Sequence, residues 1–480
     1  GFNSYNLSPK SFGIAPSLDG SIMEFVLDEP KKLVLKVEND WLYILADPID
    51  RNAPKSGDDG VLNIRDYNVD PSGQELNTYE IQKAIIDMAT GSYGGGTLYF
   101  PPGVYKTGTL DLYSGVTLYL APGAVLQASS NPLHFPLPFG PDWRTERDYD
   151  HGETDAVLSP PGPPDRDYGY NYALLRIHHC ENVAVNGPGI LDASGGSNGR
   201  LKVIHVMASK NVTIRDVTLR HGHGWMFPIL NSEHVRVHNV KLLSAITSNT
   251  DGINPNSSTD VLIDGAFVVT GDDPIVVKST NFGMQLRPEV RDVVIKNNTV
   301  MTVKSALKIG TETRSDRYNN ILFENNDIVN SDRAFVIYLR DGALIENIFF
   351  RNNRVEQAGG ISDDRNRIFD IAISKRDRRV IWQIPGWDLR KQDPGRIRNL
   401  IFEDISIDTE GSRFLRESRV TGYNKTNNID GITFRNIVVD GTLISNPETE
   451  ITVSGGKSIK FIDIDRRTVR NIWFQGYKLD

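Results

Sequence analysis

The chain has 480 residues, with 53 Lys+Arg against 61 Asp+Glu and a formal net charge of −8. At roughly 100–200 residues per domain, this length fits two to four ordinary domains, or one long repetitive domain with an appendage. No apolar run approaches the ~20 residues of a membrane span; the mild acidity gives nucleic-acid binding no electrostatic support; and the single cysteine, Cys180, excludes an internal disulfide and a cysteine-based metal centre.

The chain begins at Gly1 rather than Met, which leaves open a removed leader peptide or a trimmed terminus. Residues 21–50, SIMEFVLDEPKKLVLKVENDWLYILADPID, alternate apolar and polar side chains as two or three strands do. They define a small β-rich N-terminal domain over 1–55, with APKSGDDG (53–60) as a linker into a second domain over 56–480. Residues 77–90 read as the one clear amphipathic helix. Ile81, Ala84, Ile85, Met88 and Ala89 fall at helical spacing, and Asn77 or Thr78 stands where a cap is needed. A helix there would cover the open end of a sheet. GGGTLYFPPGVY (94–105) and GVTLYLAPGAVL (115–126) then read as short strands joined by turns.

Two stretches break the rhythm. Residues 131–170 carry eight prolines together with Trp143 and Arg144, and residues 365–398 carry ten Lys/Arg against four Asp, with Trp382 and Trp387. Long irregular loops on a regular scaffold are places where function concentrates.

Between and beyond them a phrase recurs: a polar residue, alternating apolar positions, then Asn, Asp or Gly. It reads ENVAVNG from Glu181, KNVTIRD from Lys210, EHVRVHN from Glu233, TDVLIDG from Thr259 and RDVVIKN from Arg291. It continues as NNILFEN from Asn319, ENIFFRN from Glu346, RNLIFED from Arg398, DGITFRN from Asp430 and RNIWFQG from Arg470. The first seven steps are 29, 23, 26, 32, 28, 27 and 52 residues, the last being two coils or one coil with an insertion. Short strands at a period of ~25 residues with no intervening helices point to a parallel β-helix, in which each coil buries its inner face on its neighbours. A propeller needs ~40–50 residues per blade. The terminal Asn of many phrases suits a turn position in left-handed geometry.

The chemistry concentrates in Asn249-Thr250-Asp251-Gly252 and, 21 and 22 residues after Asp251, Asp272 and Asp273 of GDDPIVVKS. One coil is about 4.8 Å along the axis, so the three carboxylates should crowd one patch. Like charges that close raise one another's pKa. That suits glycoside hydrolysis, in which one carboxyl keeps its proton and another activates water; calcium binding is the competing use of such a cluster.

NTDG, GDDPIVVKS and the opening GGGTLYFPPGVY together resemble glycoside hydrolase family 28, the polygalacturonases and their relatives, over about residues 60–480. The resemblance implies a right-handed parallel β-helix, an inverting hydrolase and no required metal or cofactor. It implies Asp272 as general acid, with Asp251 and Asp273 holding and activating the water. LDEPKKLVLKVENDWLYILADP looks more like the leader of dextranase- and isopullulanase-type β-helix enzymes, so a neutral α-glucan remains an alternative substrate.

Two family motifs depart. The family's Gly-His-Gly is replaced by Lys304-Ser305-Ala306, and its Arg-Ile-Lys by Val336-Ile337-Tyr338; all nine histidines lie at or before His238. Stacking offers replacements in the substrate cleft: Asn249 beside Asp251, Lys278 on the GDD strand, Lys304 and Lys308 on the next coil, and Tyr338 and Arg340 beyond. One coil earlier HGHGW supplies His223 and a sugar-stacking Trp225. His221 and His223 lack a third ligand, so no metal site is expected. The expected protein is therefore a secreted or periplasmic hydrolase of an α-linked, acidic polysaccharide or oligosaccharide, polygalacturonase-like, the basic residues favouring carboxylate or sulfate. A non-catalytic carbohydrate-binding β-helix is the rival from another class. Oligomeric state is not legible.

Overall fold

The computed structural model describes residues 4–38, 40–91, 94–135, 172–196, 201–245, 249–280, 289–360, 363–375 and 393–479. Most of the two candidate loops, residues 136–171 and 376–392 with Trp143, Arg144, Trp382 and Trp387, lies outside them.

The repeat phrases form the strands of a right-handed parallel β-helix. Each coil contributes one strand to an 11-stranded sheet and two to a larger sheet that forms the rest of the wall. One coil runs Ile253–Asn256, Thr259–Asp264 and Phe267–Thr270; the next runs Ile275–Ser279, Val290–Lys296 and Thr299–Thr302. Register follows the alternation in the sequence. Val261 pairs with Val293 and Ile263 with Ile295, then Val293 with Ile321 and Ile295 with Phe323. These side chains point inward and are fully buried or nearly so. Farther along, Phe323, Phe350, Phe402, Phe434 and Phe474 stack through the core with consecutive ring centroids 4.5–5.5 Å apart.

The last residue of every repeat phrase adopts positive φ, from Gly187 and Asp216 through Asn297, Asn325 and Asn352 to Gly476. The second residue does too, from Asn182 and Asn211 to Asn399 and Asn471. Asn, Asp and Gly recur because they tolerate the left-handed region that a tight corner needs. Their side chains also bridge coils, as in Asn325 Nδ2 to Asn297 Oδ1 at 2.7 Å and Asn297 Nδ2 to Asp264 Oδ1 at 2.7 Å. The next residue of three successive coils is a buried asparagine: Asn298, Asn326 and Asn353. Each amide bonds the next at 2.9 Å.

The 52-residue step is one coil with an insertion. Glu346 pairs directly with Arg398, so Arg367–Ile373 and Arg396–Ile407 are consecutive described strands of the helix wall. The helix forms over Thr78–Thr90 and buries Ile81, Ala84, Ile85 and Met88 against the first coils. Asn77 stands at its N-cap, yet its side chain accepts from Asp70 N at 2.6 Å instead of capping the helix. At the N-terminus, Tyr5–Ser8, Lys32–Val37 and Asp40–Leu45 form an antiparallel sheet. Val34, Tyr43 and Leu45 pack on Phe267 and Val269 of the larger sheet, and buried Lys241 pairs with Asp47 at 2.7 Å. Among the described residues no helix is long and apolar enough to cross a membrane.

The asparagine ladder sets the first expectation. Asn326→Ala leaves the buried Asn298 N–H and Ile295 C=O without the partners they have at 3.1 and 3.0 Å. Urea unfolding should show a loss of about 2–4 kcal/mol, the cost of stranding buried polar groups. An unchanged midpoint would contradict the ladder's role.

Candidate active site

Coil register aligns the side chains of the 11-stranded sheet in ladders along the helix axis. Ile253 pairs with Ile275 in the core, and on the opposite face Val276 pairs with Lys308 and Lys308 with Val336. Two residues upstream of the first pair, Asp251 and Asp273 therefore occupy equivalent places on neighbouring coils. Each enters from the turn that precedes its strand. The turns are tied by Asp272 N to Thr250 O at 3.3 Å and Gly252 N to Asp273 O at 3.0 Å. Gly252 is required there, because a Cβ would lie 2.2 Å from the Pro274 carbonyl oxygen.

Asp251 and Asp273 are almost fully buried, and each carries a lysine. Lys278 Nζ donates to Asp251 Oδ2 at 2.7 Å, and Asn254 Nδ2 adds a bond to the same oxygen at 3.1 Å. Lys308 Nζ donates to Asp273 Oδ2 at 2.5 Å, and Ser305 N to its Oδ1 at 3.2 Å. Each lysine also faces an aromatic ring. Lys278 Nζ lies 4.1 Å from the Trp225 centroid and Lys308 Nζ 5.9 Å from that of Tyr338. Lys278 has a second carboxylate, Glu312, at 3.5 Å.

Asp272 differs. Its Oδ1 accepts the Asp273 N–H at 3.0 Å, but among the described residues no cation forms an ion pair with it. Burial raises its pKa first, and the charges of Asp251 and Asp273 add to that, taking it to about 8. Burial also pushes Asp251 upward, with Lys278 opposing and Asp273 adding. For Asp273 the cost of burial is outweighed by Lys308 and Lys278, and its carboxyl lies below the ordinary range. Lys278 is held above the usual lysine value because Asp251, Glu312 and Asp273 outweigh its desolvation. The cluster thus separates one proton-holding carboxyl from one firmly ionised carboxylate, the division that general acid–base chemistry requires. The two ammonium groups also supply the positive charge that a calcium ion would bring to such a cluster.

The expected substrate-contacting residues fall into three groups. Lys278, Lys308 and Trp225 belong to the aspartate cluster itself. Both ammoniums are held by carboxylates and the Trp225 ring faces Lys278, so a substrate anion or sugar would compete with contacts already made. Tyr338 and Arg340 lie beyond Lys308. Tyr338 OH donates to Asp370 Oδ2 and accepts from Arg333 Nη1 at 2.9 Å, while the Arg340 guanidinium lies 5.4 Å from the Tyr338 centroid. Asn249, Lys304 and His223 are on the turns. Asn249 is exposed just before Asp251. Lys304 is partly exposed, and its ammonium has no ion pair among the described residues. His223 Nε2 is buried without a hydrogen-bond partner, and burial with nearby His221 holds the imidazole below its ordinary pKa, hence neutral. His221 itself pairs with Asp192 at 2.9 Å. Among the described residues no group of three His, Cys, Asp or Glu is placed to hold a metal.

Sequence reasoning missed Asn254, Glu312 and the Ser305 N–H. Their signal was register: Ser305 stands opposite Asp273, and Asn254 lies on the strand that follows Asp251.

Comparison with known proteins gives the following. Residues 166–357 match the sequence profile described as Glycosyl hydrolases family 28. A probable polygalacturonase of Vitis vinifera is 29% identical over 303 residues, 60% of this chain and 59% of that protein. The chain thus spans under two thirds of that relative's length. An exopolygalacturonase structure from Thermotoga maritima superposes with a TM-score of 0.62 at 19% identity, covering 89% of this chain and 94% of the other. Dex49A from Penicillium minioluteum superposes with a TM-score of 0.57 at 12% identity, covering 98% and 78%. At these identities the superpositions speak to the fold.

A second expectation concerns pH. The proton on Asp272 is held more tightly in the folded chain than at the ordinary value of 3.8. Its stabilising contribution is intact below about pH 4 and is lost as pH rises toward about 8. Asp272→Asn cannot ionise and escapes that loss. It should be more stable than the parent, by a margin that widens between about pH 4 and pH 8 at no more than about 1.4 kcal/mol per unit. Denaturant titrations across that range test it; a constant or reversed difference would refute it.

Proposed function

From the likeness of residues 166–357 to glycoside hydrolase family 28 and of the chain to a polygalacturonase, we propose that it is a polygalacturonase-like hydrolase, divergent in its recognition motifs, that cleaves an α-glycosidic bond with inversion. Asp272 gives its proton to the glycosidic oxygen as the C1–O bond breaks. Water, held by Asp251 and Asp273, adds to C1 from the opposite face and loses its proton to one of these two carboxylates. The observation that carries this reading is Asp272, which has no ion-paired cation among the described residues, beside two lysine-paired aspartates. Stacked coils suit the ~6.5–9.5 Å carboxyl separation that leaves room for a water.

The substrate we propose is an acidic, α-linked glycan other than plain polygalacturonan, met by a secreted or periplasmic protein. Lys304 supports the acidic reading. It stands one coil on from Asp272, with an ammonium uncommitted among the described residues. At the place of the family's Arg-Ile-Lys, Val336 is buried and the Tyr338 hydroxyl is committed to Asp370 and Arg333. A galacturonate carboxylate desolvated there lacks its pair, which costs several kcal/mol. A neutral α-glucan is the second reading, favoured by one observation: Lys278 and Lys308 serve the aspartates.

Asp272→Asn should keep the fold and lose about 10²–10⁴ in rate, since it removes the proton donor. Reducing-sugar release and early-time NMR of the product measure both the loss and the anomer. Near-parental turnover would remove Asp272 from the mechanism, and a retained anomer would make one carboxylate a nucleophile instead. In a parallel panel of polygalacturonan, rhamnogalacturonan, sulfated galactans and dextran, polygalacturonan should be poor. Polygalacturonan as the best substrate would return this chain to ordinary pectin hydrolysis, and dextran as the best would favour the neutral reading. No hydrolysis of any polymer, with binding retained, would favour a carbohydrate-binding role.

A further inference from the structure

Three carboxylates share one buried patch, and two of them carry a lysine, but the lysines are not equivalent. Lys278 is divided. Its ammonium lies 2.7 Å from Asp251 Oδ2 and 3.5 Å from Glu312 Oε2, and stands over the Trp225 ring. Lys308 has one carboxylate among the described residues, Asp273 at 2.5 Å, and is itself mostly buried. Asp273 also receives the Ser305 N–H at 3.2 Å, from the strand that supplies Lys308.

The charged groups around Asp273 come from every neighbouring element. Asp251 approaches from the preceding coil, Asp272 is its chain neighbour and Lys278 lies on its own strand. Lys308 comes from the next coil, and Arg333 and Asp332 from the coil after that. Arg333 is largely absorbed by its bidentate pair with Asp332, at 2.9 and 3.0 Å. Lys308 is therefore the undivided cation at Asp273, whereas Asp251 must share its cation.

We infer that Lys308 is a positioning residue that selects Asp273, over Asp251, as the carboxylate left ionised beside Asp272 in the acidic range, and so fixes which carboxylate receives the proton of the attacking water. It acts through Asp273 and needs no contact with the glycan. Its neighbours hold it in place. The Tyr338 ring, 5.9 Å from the ammonium, is anchored through its hydroxyl to Asp370 and Arg333, and Asp370 is gripped by Arg419 at 2.7 and 2.9 Å. The direction of the Asp273 shift, below its ordinary value while Asp251 lies above, agrees with this division.

The kinetic consequence rests on the hydrolytic reading above; the titration does not. The full chain, labelled with carboxyl-¹³C aspartate, is titrated by NMR, and Asp251, Asp272 and Asp273 are assigned from their single Asn variants. Asp273 should titrate lowest of the three. In Lys308→Met its midpoint should rise by about one pH unit or more, and in Lys308→Arg it should stay near the parental value. With an accepted glycan, the acid limb of the Lys308→Met kcat profile should move up by the same amount, about a tenfold loss at pH values below it, with KM little changed. An Asp273 midpoint that ignores Lys308→Met, or a Lys308→Arg chain that behaves like Met, would overturn the inference. If no glycan is cleaved, the hydrolytic reading fails while the titration still decides this one. If Lys308→Met does not fold because a buried charge is left unpaired, Asp273→Asn/Lys308→Met removes both partners. That double variant should have lost the parental acid limb, and keeping it would assign the limb to another group and overturn the inference.

Discussion

Two ammonium groups set among three carboxylates, in a patch largely closed to water, constrain everything else in the cleft. An unpaired buried charge is costly, so each lysine settles on one aspartate and the remaining carboxyl keeps its proton. Lys278 serves Asp251 and Lys308 serves Asp273, which leaves Asp272. The residues beyond follow from the need to hold the lysines. Trp225 offers Lys278 a ring face, and a cation over a desolvated ring gains about 2 kcal/mol. Tyr338 lies farther from Lys308 and is fixed in turn by Asp370, Arg333 and Arg419.

The β-helix makes such an arrangement reproducible. The side chains of the cluster come from successive turns and strands, with Asp272 and Asp273 sharing one turn, and they stand at positions set by the coil spacing. The inward ladder of Val, Ile and Phe fixes the register, and a slip of one residue would turn the apolar set outward. Corners at positive φ and asparagine bridges between coils keep successive turns aligned, from Asp264 through Asn297 to Asn325. Among the described residues the site therefore rests on strands and the short turns between them, as positioning within about half an ångström requires.

The same framework allows divergence at the cleft without change in the fold. At the places where glycoside hydrolase family 28, which this chain resembles, carries Gly-His-Gly and Arg-Ile-Lys, this chain carries Lys304-Ser305-Ala306 and Val336-Ile337-Tyr338. The inward members of these strands still pair, Leu307 with Phe335 and Ile309 with Ile337. On the other face of the same strand, Lys308 directs its charge at the protein's own Asp273.

The sequence alone determined the architecture and the three aspartates. Both are periodic or local properties: alternating apolar residues every ~25 positions, Asn, Asp or Gly where a corner needs positive φ, and NTDG one coil from GDD. It also located the helix, read over 77–90 and formed over Thr78–Thr90, though not what the Asn77 side chain does, because that amide bonds Asp70 across a loop. It left the 52-residue step open, since only the pairing of Glu346 with Arg398 distinguishes one interrupted coil from two. Only the tertiary structure decided how the charges are shared. In the sequence Lys278 and Lys308 are cations near a cleft, equally suited to a sugar acid, and Trp225 is an aromatic suited to a sugar ring. Which partner each takes depends on burial and on distances between coils, and neither quantity is written in the spacing of residues along the chain.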